Sequence, residues 1–279
     1  MFTSLSPGAI GVSVDGLEQG LTLAADHGFD GYHFSIADAA AVGAERVRQL
    51  CEHTGVRLAA FGFPLEFRRD EEQLEEGLGV LDAQAALAAS LGVKRTATWI
   101  SPASNELTFQ ENFDLHVQRL RPAAEILDAH GIRLGLEYVG PLRSRENMKY
   151  AFVHSLDQMA DLCAAVGENV GFLLDAWHWH TAGEDSTHLQ RLSPEQIVDV
   201  HVNDAPDRAV DAQIDNQREL PGATGVIDIV TFLTALKRVG YDGPVMVEPC
   251  SEAVRAMSAE DAVSATATAL RSVWEQASL

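Results

Sequence analysis

At 279 residues with 46% hydrophobic content, the chain is long for one ordinary domain but suits a single α/β barrel with a large core. The 41 Asp and Glu against 20 Lys and Arg give a formal net charge of −21, which repels phosphate backbones and anionic lipid and weighs against nucleic acid or a membrane as partner. No apolar run approaches the roughly 20 residues of a bilayer span, and the start Met-Phe-Thr-Ser-Leu-Ser-Pro-Gly has no basic, apolar leader. The scattered Cys51, Cys163 and Cys250 form neither a disulfide framework nor a metal motif, so a reducing cytoplasm is expected.

Along the chain, Gly28, Gly55, Gly92, Gly131, Gly167 and Gly240 each follow a helical pattern and precede an apolar run, the place of the usual left-handed helix stop. Four of the five intervals between them are of βα length; the last is about twice its neighbours and should hold two units. Strands are expected at Gly8–Val14, Gly31–Ile36, Arg57–Phe63, Arg95–Ile100, Arg133–Val139, Val170–Ala176, Ile197–Asn203 and Val245–Glu248. Helix starts are marked by Thr108 with Glu111, Ser155 with Gln158, Ser193 with Gln196 and Ser258 with Asp261, all capping boxes or near variants. Pro194 suits a first helical position, and Pro122 inside a helical stretch predicts a kink. The helix between strands six and seven is the most weakly marked. Eight strands alternating with helices over residues 1–279, without a linker, predict one (β/α)8 barrel whose active site lies at the carboxyl ends of the strands.

Four of those strands end on a polar residue: Glu137 after Ile-Arg-Leu-Gly-Leu, Asp175 after Val-Gly-Phe-Leu-Leu, His201 after Ile-Val-Asp-Val, and Glu248 after Pro-Val-Met-Val. A buried carboxylate or imidazole is costly unless paired or ligating. In a parallel barrel these ends share one face, so two Glu, one Asp and one His there form a divalent-metal site. Strand parity puts Glu137 with Gly135, Asp175 with Leu173 and Glu248 with Met246, small or apolar neighbours suited to a barrel interior. Asp199 shares parity with His201 and is a second inward carboxylate.

These segments, Gly-Leu-Glu137, Leu-Leu-Asp175-Ala-Trp-His178, Val-His201-Val-Asn-Asp204 and Val-Glu248-Pro, resemble the xylose isomerase-like sugar isomerase/epimerase superfamily, which includes the endonuclease IV branch. The resemblance implies Glu137, Asp175, His201 and Glu248 as metal ligands, His178 as a substrate-contacting histidine, and Arg208 near the position of a substrate-binding arginine. It also implies one divalent ion (Mn²⁺, Co²⁺, Mg²⁺ or Zn²⁺) and a dimer or tetramer.

Three carboxylates and an imidazole make a hard, oxygen-rich set that suits Mn²⁺ best. The expected reaction is proton abstraction next to a sugar carbonyl through a metal-bound enediolate, with Glu137 and Glu248 as the acid/base pair. Trp177 is expected to wall the sugar, while Trp179 packs the loop. Arg218 and the glycines that follow it read as a closing loop. The alternative chemistry is β-elimination from a keto-inositol or 3-keto glycoside by a dehydratase or lyase, since it begins with the same proton loss. An inactive metal-binding relative is a further alternative. A Schiff-base aldolase is disfavoured because none of the three lysines (Lys94, Lys149, Lys237) lies at a strand's carboxyl end, and a dinucleotide oxidoreductase lacks its glycine motif after strand one.

Overall fold

Eight parallel strands close into a barrel in the computed structural model, which describes residues 1–279. They are β1 (Phe2–Leu5), β2 (Gly31–Phe34), β3 (Arg57–Gly62), β4 (Arg95–Trp99), β5 (Arg133–Glu137), β6 (Val170–Asp175), β7 (Ile197–Val202) and β8 (Pro244–Val247). Each pairs with its neighbour in sequence, and β1 closes the ring on β8 through Phe2–Pro244 and Ser4–Met246. Every residue of β6 and β7 is buried, as a strand covered on both faces requires.

The connecting helices are α1 (Gly16–Asp26), α2 (Ile36–Val42), α3 (Ala44–Thr54), α4 (Glu71–Ser90), α5 (Phe109–Ala129), α6 (Leu156–Val166), α7 (Ala176–Thr181), α8 (Ser186–Leu189), α9 (Ile229–Val239), α10 (Glu252–Arg255) and α11 (Ala259–Gln276). Thr108 and Glu111 form the full capping box of α5, which continues past Pro122 to Ala129. Ser258 caps α11 by accepting the Asp261 N–H. None of the helices is long and apolar enough to cross a membrane.

The first strand differs from expectation. Gly8–Ile10 is a single 3-10 turn closed by Gly11 in the left-handed region, and the barrel strand lies earlier, at Phe2–Leu5. Ile10 and Val12 are apolar because they pack under the rim, not because they pair in the sheet. The other seven strands fall within two residues of their expected ends, shortened where the next element claims the terminal residue. Ser35, for example, leaves β2 to cap α2. Gly167 has extended backbone (φ 177) rather than a left-handed turn; a side chain there would crowd Asn169 and Ala124. Between β6 and β7 the chain makes only the short helices α7 and α8 and a 3-10 turn at Pro194–Gln196.

The long segment after β7 is tied down by one buried carboxylate. Asp204 accepts the backbone N–H groups of Ala205, Thr224, Gly225 and Ile227 at 2.7–2.9 Å. Asp204→Ala strands those donors and should cost about 2–4 kcal/mol of stability. Protease cleavage should then concentrate in residues 204–227. Unchanged melting and unchanged protease resistance would show that the segment is held by other contacts.

Candidate metal centre and active site

Glu137 and Asp175 are the last residues of β5 and β6, His201 is the fifth of β7, and Glu248 directly follows β8. Sheet register aligns Asp175 with His201 and His201 with Met246, and the Glu248 N–H bonds the Val202 carbonyl. The strand ends therefore stand at one level. One potential ligand atom from each of the four side chains lies within 4.8 Å of all the others. His201 Nδ1 is 3.4 Å from Glu248 Oε2 and 3.9 Å from both Glu137 Oε1 and Asp175 Oδ2. Octahedral ligands with bonds of about 2.1 Å stand about 3 Å apart when adjacent and about 4.2 Å apart when opposite, so only slight contraction would close the set on an ion. Glu137 Oε1 and His201 Nδ1 are buried and have no hydrogen-bond partner in the protein. Such unpartnered potential ligand atoms in a polar cluster fit a cation.

Surrounding groups hold these side chains in place. Asp175 Oδ1 accepts the Trp177 N–H and so caps α7, which fixes the carboxylate where the strand becomes helix. Asn203 Nδ2 bonds both oxygens of Asp175 and the Glu248 carbonyl, tying β6 to β8 across β7. Lower in the barrel, His33 bridges Ser4 and Asp199, each at 2.8 Å, so Asp199 does point inward and is fully paired. Leu173, Met246, Phe61, Phe63, Asp199 and His201 help line a cavity of about 670 Å³ beside the cluster.

The residue that completes the cluster is Arg218, only 4% exposed. Its guanidinium lies 3.0 Å from Asp175 Oδ2, 3.2 Å from Glu248 Oε2 and 2.9 Å from Asp215 Oδ1. The expected Arg208 is instead exposed and bonds Gln217 on the surface. Arg218 arrives from far along the segment that Asp204 pins, a route that no fixed offset from His201 announces. The Arg218–Asp215 spacing and the glycines that follow are the only local hints.

His178 is buried in α7, with Nε2 3.4 Å from Arg218 Nη2 and 3.9 Å from Glu137 Oε1. Its Nδ1 lies 3.2 Å from the Gly140 N, and its Nε2 faces the cluster. Gly140 allows this approach: a Cβ there would sit 2.4 Å from the His178 carbonyl oxygen. Trp177 is wholly buried, with the Arg218 guanidinium 5.5 Å from its ring centre, so it braces that arginine and has no surface to wall a sugar. Trp179 packs on Phe232, in keeping with the packing expected of it.

The electrostatics follow from burial and crowding. Burial, then the like charges of Glu248 and Asp175, push the Glu137 carboxyl well above the usual range. Burial also works to raise Glu248, but His201 and Arg218 outweigh it and hold that carboxyl below its ordinary value. Burial opposes charge on His201, yet Glu248, Asp199 and Glu137 raise its pKa to about 10. Burial drops His178 to about 3, so it is neutral at pH 7. Without an ion, a protonated Glu137, two carboxylates, a charged His201 and Arg218 sum to zero. With a divalent ion, three carboxylates, a neutral His201, Arg218 and the ion again sum to zero. An ion therefore replaces two protons at constant charge.

The family description "Xylose isomerase-like TIM barrel" matches residues 21–273. The fold superposes on a solved xylose isomerase domain protein from Alicyclobacillus acidocaldarius subsp. acidocaldarius over 100% of both chains, with 32% identity and a TM-score of 0.89. An inosose isomerase of Bacillus velezensis is 26% identical over 196 residues, which is 70% of this chain and 67% of that one. A 3-dehydroshikimate dehydratase of Pseudomonas putida is 28% identical over 253 residues, 88% of this chain but 38% of the larger protein.

Because Glu137 and His201 must both lose protons for the set to close on an ion, affinity should climb steeply with pH. Below the raised pKa values protons compete with the ion, so the gain in Tm on adding Mn²⁺ should be larger at pH 8 than at pH 6. Titration calorimetry in buffers of different ionisation heat should report release of about two protons per ion at pH 7. A pH-independent affinity without proton release would contradict this charge exchange.

Proposed function

The chain belongs to the xylose isomerase-like TIM barrel family, and from that premise we propose that it is a divalent-metal-dependent isomerase or epimerase acting on a sugar, keto sugar or cyclitol ketone. The observation that carries this reading is the convergence of Glu137, Asp175, His201 and Glu248, with two buried ligand atoms left unpartnered. The four side chains would hold the ion, and their oxygen-rich donor set favours Mn²⁺. When bound, a divalent ion polarises a carbonyl and eases loss of the neighbouring proton.

The chain's own groups supply the remaining chemistry. Glu137 and Glu248 reach the site from strands three apart around the barrel and form the acid/base pair. Glu248 is the more open, with 25% of its side chain exposed against 9% for Glu137, and takes the proton from the substrate. Neutral His178 directs its Nε2 at a substrate oxygen. Arg218 offsets the negative charge that develops as the proton leaves. The apolar part of the cavity, with Phe61, Phe63, Leu173 and Met246, suits the carbon face of a six-carbon ring.

The dehydratase relative favours a second reading, in which the same proton loss is followed by expulsion of a β-hydroxyl. Incubating the Mn²⁺-loaded protein in D₂O with keto sugars and inososes separates the two. Deuterium at the carbon next to the carbonyl marks isomerase or epimerase chemistry, and loss of water marks elimination. Glu248→Gln and Glu137→Gln should each lower turnover by about 10²–10⁴-fold while the fold is kept, with metal content measured alongside. Wild-type turnover in either variant would remove that glutamate from the mechanism.

A further inference from the structure

The loop after β3, the loop after β4 and the first turns of α5 enclose a second cavity of about 340 Å³, which shares no lining residue with the one beside His201. Arg68, Arg69 and Arg119 converge there, in a chain whose net charge is −21. Two of these guanidiniums are fixed by hydrogen bonds to neighbouring protein groups. Arg68 Nη2 bonds Thr98 Oγ1 at 2.8 Å, and Arg119 Nη1 bonds the carbonyls of Phe67 and Arg69 at 2.8 and 2.6 Å. Each also makes one long ion pair, Arg68 with Glu66 at 3.8 Å and Arg119 with Glu71 at 3.7 Å, which leaves three arginines against these two carboxylates and Glu106 around the cavity. The Nε atoms of both arginines are buried without a partner.

Burial lowers the Arg68 pKa, and Glu66 opposes this only in part. Arg69 is exposed and lines the cavity without a protein acceptor. Asn112, only 6% exposed, also lines it, and its carboxamide bonds no protein group. An amide that lines the cavity without a protein partner, beside three arginines, suits a ligand that accepts hydrogen bonds.

We propose that this cavity binds a small oxyanion, the phosphate or carboxylate of a metabolite other than the substrate. Arg69 and Asn112 make the direct hydrogen bonds, and Arg68 and Arg119 supply preorganised charge. Glu106, which also lines the cavity, opposes binding. Arg68 sits 4.5 Å over the ring of Trp99, whose register partner is Glu137, so an occupant lies one side chain away from the catalytic rim.

Titration calorimetry with inorganic phosphate in one arm and succinate in the other tests the proposal and distinguishes the two head groups. At least one anion should bind saturably with Kd on the order of 1 mM or tighter. Arg69→Glu, at an exposed position that leaves the fold intact, should weaken it by about tenfold or more, as should Asn112→Leu. Glu106→Gln should tighten it, and Arg218→Gln should leave it unchanged. Absence of saturable binding by either anion would overturn the proposal. So would binding that survives Arg69→Glu but is lost in Arg218→Gln, which would place the anion at the metal centre.

Discussion

Three carboxylates crowded at the ends of parallel strands, two of them buried, cannot remain together without positive charge between them. The fold surrounding Glu137, Asp175 and Glu248 meets that demand. His201 stands among them on the adjacent strand, and Arg218 is carried in from a distant loop to lie 3.0 Å from Asp175 and 3.2 Å from Glu248. Asp204 pins that loop, Trp177 braces the guanidinium, and Asn203 ties Asp175 to the Glu248 backbone. Two cations and one proton balance the cluster without an ion. Exchanging two protons for a divalent ion would keep the balance and would tie metal affinity to pH through Glu137 and His201.

The barrel's interior is arranged in layers that serve this level. Below the cluster, Ser4, His33 and Asp199 form a chain of hydrogen bonds that satisfies the inward carboxylate of β7. That frees Asp199 from any need of the ion and leaves it a wall of the cavity. The family's sharing of one barrel among different reactions is consistent with this division of labour. Strand ends fix the charged set, whereas loops such as Phe63–Asp70 and the segment after β7 shape what can approach it.

Most of the barrel was legible because period and punctuation agree. Six of its strands follow a glycine that ends a helix, and the four polar strand ends are anomalous enough to stand out without coordinates. Phe2–Leu5 was not legible: four residues with Thr and Ser among them carry little pattern, and the richer apolar stretch at Ile10 and Val12 drew the expectation away. Arg208 was expected from the family's arginine position after the histidine strand, whereas Arg218 is the arginine that reaches the cluster. Proximity to His201 in sequence is readable, whereas a return of the chain after a long irregular segment depends on a buried tie, the Asp204 carboxylate, that only the fold reveals. Trp177 shows a third limit. Its place beside His178 is evident from spacing, but which of two neighbouring aromatics faces a cavity depends on how a six-residue helix docks.

Anomalous scattering from a crystal of the protein grown with Mn²⁺ at pH 8 tests the shared centre most directly. A single strong peak at bonding distance, about 2.0–2.3 Å, from one atom each of Glu137, Asp175, His201 and Glu248 is the predicted result. A peak at another position, or none at saturating Mn²⁺ with Arg218 still seated among the carboxylates, would contradict a metal centre at these strand ends.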